Sequence, residues 1–159
     1  TVSVVVATHN LAYGVFVGVL LAAMLPLGIA LESSGGSALI AQLLLVLDSD
    51  MPPLAVIAML IAATMLLSNV INNAATAILT APIAIKLAQG LGLSADPFLM
   101  AVAIGASCAF LTPIGHQSNA LVMAPGGYKF GDYWRMGLPL SILVIATAAP
   151  AIAWIWPLQ

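Results

Sequence analysis

Charge is the scarcest thing in this sequence. Of 159 residues only three are Lys or Arg and five are Asp or Glu, 5% where a soluble globular domain carries about a quarter. So few cations exclude a nucleic-acid surface, and so few carboxylates exclude an acidic tail. No Ser/His/Asp set, metal cluster or pair of intramembrane carboxylates can be assembled, so an enzyme is not expected. Cysteine is nearly absent. The single Cys108 lies in an apolar run, cannot close an intrachain disulfide and reads as a small core residue. A starting Met is absent too: residues 1 to 10 begin on Thr1 and carry neither the basic start nor the small-residue cleavage site of a signal peptide. The chain therefore reads as a piece of a longer protein. What is abundant is hydrocarbon, with 63% hydrophobic residues and a mean hydropathy of +1.18. The expected class is an all-α integral membrane protein in one transmembrane domain, residues 1–159, with room for about five or six segments of roughly 20 residues each.

In chain order, Val15 to Leu31 is the first clear span, with Gly14 and Gly18 as a small-xxx-small pair and Pro26 as a kink or an end to its regular part. Residues 32–36, Glu-Ser-Ser-Gly-Gly, close that helix. Ser37 to Leu47 is too short for an upright span, and Asp48-Ser49-Asp50 marks its aqueous end. Pro52 and Pro53 are placed to open the next helix, because an N-terminal proline forfeits no intrahelical bond. Leu54 to Leu67 and Ala74 to Gln89 are apolar segments of about 21 to 24 Å, short for a hydrocarbon core of about 30 Å. Between them stands Ser68-Asn69-Val70-Ile71-Asn72-Asn73, a knot of amides and a hydroxyl that is costly in hydrocarbon unless bonded or coordinated. The economical reading of residues 54–89 is a re-entrant hairpin whose tip reaches toward mid-membrane, where irregular backbone is tolerated only inside protein or beside water.

A second break follows. Asp96 is a plausible cap for a helix over Phe98 to Leu111. Thr112-Pro113-Ile114-Gly115-His116-Gln117-Ser118-Asn119 then interrupts it before Ala120 to Ala124 resumes, so residues 98–124 read as one broken helix. A proline and a glycine in mid-span free carbonyls that can serve as cation ligands. The two polar breaks are expected to face each other. The loop Pro125 to Arg135 carries Tyr128, Tyr133 and Trp134 for a membrane interface, and Lys129 with Arg135 places it on the cytoplasmic side. Residues 137–157 form the final span, closing on Trp154 and Trp156 outside. Gly126 and Gly127 read as a turn, without the strand, lysine and helix of a phosphate loop.

Ser68-Asn69-Val70-Ile71-Asn72-Asn73-Ala74-Ala75-Thr76 with Pro82, Thr112 to Asn119, and Pro125-Gly126-Gly127-Tyr128 resemble the second half of divalent-anion:sodium symporters, nearest the sulfate or dicarboxylate permease branch, over residues 11 to 157. The resemblance implies one half of an inverted-repeat transporter of the cell's inner membrane, with a re-entrant hairpin and a broken helix. It implies a sodium site formed by Ser68, the Ile71 carbonyl, Asn72, Asn73 and the Gly115 carbonyl. It further implies an anion bordered by Asn73, Ala74, His116, Gln117, Ser118 and Asn119. Sodium would be the coupling ion, with no covalent cofactor. A small anion, membrane lipid, the missing first half and a second copy in a homodimer would be the partners. Hard oxygen ligands suit sodium, and the N–H groups of the helix after Asn73 suit a sulfate or carboxylate.

The departures from that pattern are specific. The serine and threonine of the family's Ser-Asn-Thr tip read Asn72 and Ala74, and its Thr-Pro-Pro-Asn reads His116-Gln117-Ser118-Asn119. Two hydroxyls are lost, and a histidine that can titrate near neutrality leaves proton coupling or exchange open. Blander readings also stand: the knot as interhelical glue in a non-transporting scaffold, His116 as a core histidine, and Thr112 to Gly115 as a mere kink.

Overall fold

The computed structural model describes residues 51–157 apart from Asn72, together with Val15, Val19, Ala30 and residues 33–35; of Gln117 it describes the backbone. The rest of the expected span 15–31, with Gly14, Gly18 and Pro26, and of the segment 37–50 lie outside the described residues, as does Glu32. Where residues 32–36 were expected to turn the chain, Ser34 N donates to Ala30 O at 2.9 Å and Gly35 takes a φ of +74°. From residue 51 onward the described residues form five helices and no strand: α1 Pro53–Ser68, α2 Asn73–Leu91, α3 Asp96–Ser107, α4 Gln117–Met123 and α5 Phe130–Ile155.

The proline pair opens α1 as its chemistry suggests, with Pro52 extended (φ −64°, ψ 143°) and its carbonyl accepting from Ala55 N at 2.8 Å. Nearly every residue of α1 is apolar, so its inward stripe is chosen by packing rather than by pattern: Val56, Ile57, Leu60, Ile61, Thr64, Met65 and Ser68 are buried. The helix stops where Asn69 turns its side-chain Nδ2 back on the Met65 carbonyl at 2.7 Å. A turn over residues 69–71 precedes α2, which tolerates Pro82 in its interior and ends at Gly92 (φ +67°). Leu93 N reaches Ala88 O at 2.9 Å, and glycine supplies the left-handed residue this closure requires.

Two expected boundaries move. Asp96 makes no capping bond; Ala95 precedes the helix and Asp96 lies within its first turn. Helix α3 ends at Ser107 instead of Leu111, because the N–H groups of Leu111 and Thr112 are taken by the Asn69 side chain. The final helix begins at Phe130 rather than Gly137, and the Asp132 carboxylate accepts from Lys129 N at 2.8 Å where α5 starts. Its first two turns are thus made from residues that read as an interfacial loop.

Helix α3 packs against α1, α2 and α5, and α1 against α2, α3 and α5. The core joins Ile57, Ile61, Leu87, Ala84 and Phe98, all essentially inaccessible. Close approaches rely on glycine. A Cβ on Gly105 would lie 2.8 Å from Thr64 Cβ and 2.9 Å from Ile61 O, and one on Gly137 would collide with the Phe110 carbonyl. Helices α2 and α5 are long and apolar enough to cross a membrane, while α1 and α3 are shorter apolar helices. Only 17% of the most apolar stretch of α5 is buried, leaving Ile142, Leu143, Trp154 and Ile155 exposed, a surface that suits lipid or further protein rather than water. Gly105→Val should cost about 2 kcal/mol or more by overpacking the α1–α3 crossing. Thermal unfolding in detergent checks this, and an unchanged melting temperature would show that the crossing relaxes.

Candidate functional site

The two polar breaks are in direct contact. Asn69 follows the last residue of α1 and is 4% exposed. Its Oδ1 accepts from Leu111 N at 2.8 Å and Thr112 N at 3.0 Å, and its backbone carbonyl accepts from Thr112 Oγ1 at 2.7 Å. The same Thr112 oxygen accepts from Gly115 N at 3.2 Å. Each break therefore satisfies backbone groups that the other leaves without a helical partner. Asn119 completes the bracing from α4, its Nδ2 donating to Ala109 O at 2.9 Å and Thr112 O at 3.3 Å, while its own carbonyl accepts from Tyr133 OH at 2.6 Å.

Within this frame lies a cluster of oxygens. The buried Ser68 hydroxyl donates to Ala106 O at 2.6 Å. The end of the Asn73 amide that faces it stands 2.9 Å from Ser68 Oγ, 3.1 Å from Ala106 O and 3.2 Å from Gly115 O. With nitrogen turned inward, the amide's two protons are shared among three acceptors. With oxygen turned inward, it can accept from Ser68 Oγ at 2.9 Å but faces the Ala106 and Gly115 carbonyls with no proton between, a contact that a cation among them would relieve. Among the described residues no group of three or more His, Cys, Asp or Glu could hold a metal. The donor set is hydroxyl, amide and carbonyl oxygen, which fits a hard monovalent cation.

The sequence-expected residues are distributed as follows. Ser68, Asn73 and the Gly115 carbonyl meet in the oxygen cluster. Asn72 lies outside the described residues. Ile71 sits half-buried in the turn with its N–H on Leu67 O at 2.9 Å, and its carbonyl takes no part in the cluster's hydrogen bonds. Ala74 occupies the first turn of α2 and is half-buried. His116 and Ser118 are exposed at the start of α4, where His116 Nδ1 accepts from Ser118 N at 3.2 Å and lies 2.7 Å from Ser118 Oγ. That acceptor role places the neutral ring's proton on Nε2. Asn119 faces inward as a brace. Gln117 begins α4.

Three participants were not singled out from the sequence. Asn69 and Thr112 belong to the recognised breaks, but their pairing across 43 residues has no local signal. Ala106 enters through its carbonyl alone. Its only sequence trace is the small pair Gly105-Ala106, which permits close approach. Thr76, one turn along α2 from Asn73, is also buried with its hydroxyl unpaired.

A strongly apolar chain whose described residues form helices, and whose two interrupted segments meet at the buried Ser68 and Asn69, has the build of a membrane transporter. The chain belongs to the citrate transporter family, whose family model matches residues 16–105. It is similar to an uncharacterized transporter of Synechocystis, 43% identical over 129 residues, which cover 80% of this chain and 21% of that protein. An uncharacterized transporter of Escherichia coli is 37% identical over 139 residues, 87% of this chain and 23% of the relative. Sodium/sulfate cotransporter 2 of Chlamydomonas reinhardtii is 32% identical over 130 residues, 80% of this chain and 15% of the relative. The chain thus spans less than a quarter of the length of these curated relatives. The resemblance carried by residues 68–76 and 112–128 holds at the level of family.

Two substitutions probe the frame. Asn69→Leu removes the acceptor for two N–H groups and should cost about 2 kcal/mol or more, since each buried orphan donor costs about 1–3. A loss below about 0.5 kcal/mol on unfolding would mean that water or another group replaces it. Gly115→Ala would bring a Cβ to 2.7 Å from Ala109 Cβ and 2.8 Å from Ser68 O. It should displace the Gly115 carbonyl and lower transport by the full-length protein more than it lowers the amount of folded protein.

Proposed function

We propose that this chain supplies one half of the transport site of a secondary carrier that moves a small polyvalent anion together with sodium. The observation that carries the proposal is the convergence of Ser68 Oγ, the Asn73 amide, Ala106 O and Gly115 O. In this reading the amide oxygen of Asn73 turns inward when sodium is present, and Asn72 and the Ile71 carbonyl, its neighbours in sequence, complete the shell. The anion lies on the opposite side of the tip, bordered by Asn73, Ala74 and the exposed start of α4 with His116, Gln117 and Ser118. With Nδ1 turned to Ser118, His116 offers its Nε2–H as a donor there, and Asn119 supports the border from behind.

Coupling follows from differential binding. Sodium brings positive field and order to a site of uncharged oxygens, so it strengthens anion binding, and by reciprocity the anion strengthens sodium binding by the same factor. Transport then needs the loaded site to be exposed alternately on the two membrane faces. Helices α1 and α2 form the re-entrant hairpin of this reading, and residues 98–124 the broken helix. The short length of α1, about 24 Å, and the burial of Ser68 and Asn69 at its end support it. A full site needs a partner half of inverted topology, from the same polypeptide or a second subunit, in a homodimer embedded in the inner membrane. Citrate-like carboxylates and sulfate are the substrate classes that the family description and the cotransporter relative suggest.

The test is uptake of radiolabelled sulfate, succinate and citrate into vesicles containing the full-length transporter, under an imposed sodium gradient and, separately, a proton gradient. Sodium-driven uptake of one of these anions is expected, with Asn73→Ala inserting normally and retaining less than about a tenth of it, a loss of about 1.4 kcal/mol or more in binding terms. Uptake driven only by protons would replace sodium as the coupling ion. Normal sodium-driven uptake in Asn73→Ala would remove the site.

A further inference from the structure

Resting on that reading, we infer that Thr112, held by Asn69, is a positioning residue that sets the sodium affinity of the cluster without touching the ion. The Thr112 hydroxyl is a junction with both capacities used: it donates to Asn69 O at 2.7 Å and accepts from Gly115 N at 3.2 Å. Its own backbone N–H is held by Asn69 Oδ1 at 3.0 Å. Gly115 is the residue whose carbonyl faces the Asn73 amide at 3.2 Å. Its Cα stands so close to the end of α1 that a Cβ there would lie 2.9 Å from Asn69 Cα. The continuous path from Asn69 through Thr112 to Gly115 therefore fixes where one oxygen of the cluster stands relative to two others, Ser68 Oγ and the Asn73 amide, which lie on α1 and α2. A cation shell built from neutral oxygens depends on their number and placement rather than on charge. Loss of the hydroxyl frees the Gly115 backbone to shift and weakens the shell, while the ion's own ligands are chemically unchanged.

The hydroxyl separates positioning from bulk. Thr112→Val preserves shape and removes both hydrogen bonds; Thr112→Ser preserves both bonds and removes a methyl group. In vesicles containing the full-length transporter, anion uptake is measured against sodium concentration and normalised to the transporter inserted. The valine variant should raise the half-saturating sodium concentration about fivefold or more, the factor that one lost hydrogen bond of ordinary strength corresponds to. Its maximal rate should change less. The serine variant should stay within about twofold of the wild type. Thr112→Ala, which removes the hydroxyl with less bulk, gives the same reading should the valine variant fail to insert. An unchanged sodium dependence in the hydroxyl-free variants, an equal shift in the serine variant, or a fall in maximal rate alone would overturn the inference and leave the symporter reading standing. A wild type that ignores sodium would overturn both.

Discussion

Everything in this structure answers to one constraint: a backbone N–H or C=O inside an apolar interior must find a partner. Regular helix meets it internally, but two helices here stop inside the packed region, α1 at Ser68 and α3 at Ser107. The groups they leave are satisfied across the gap. Asn69 takes the amides of Leu111 and Thr112, and Thr112 returns its hydroxyl to the Asn69 carbonyl. A single side chain lost from this exchange exposes donors on the opposite segment, so the two breaks stand or fall together.

The exchange leaves one region where the demand is reversed. Around Asn73 three acceptor oxygens, Ser68 Oγ, Ala106 O and Gly115 O, gather about one amide, and with nitrogen turned inward its two protons and the Ser68 hydroxyl proton serve them. Close packing holds it in place: Gly105 lets α3 close on α1, and Asn119 ties α4 to the break. Hydroxyl, amide and carbonyl oxygens gathered in this way are also what a shell of neutral ligands for a cation requires. The membership of the chain in a transporter family gives that gathering a use, and the proposed coupling of sodium to an anion is the simplest one.

Much of the secondary structure was legible because its signals are local. Pro52-Pro53 announced the start of α1, and the amide-rich knot announced its end. What escaped was set by distance. Helix α3 was expected to run to Leu111 because residues 98–111 carry no polar side chain but Ser107, and the arrival of Asn69 from 42 residues away explains its earlier end. Helix α5 began seven residues early because Tyr133, Trp134 and Arg135 suit an interface whether helical or not. Of the candidate site, residues with polar side chains were visible as types, and Ser68, Asn73 and Gly115 do lie together. Ala106 was invisible, since a carbonyl ligand carries no side-chain mark.

The most direct test of the central claim is equilibrium binding of radioactive sodium to the purified full-length transporter, with and without a saturating anion that it carries. Saturable sodium binding that tightens when the anion is present, and that disappears when the Asn73 amide is removed, is the result the account predicts. Binding that is absent in the wild type, or equally strong without the Asn73 amide and indifferent to the anion, would show that the oxygens around Asn73 only hold helices together.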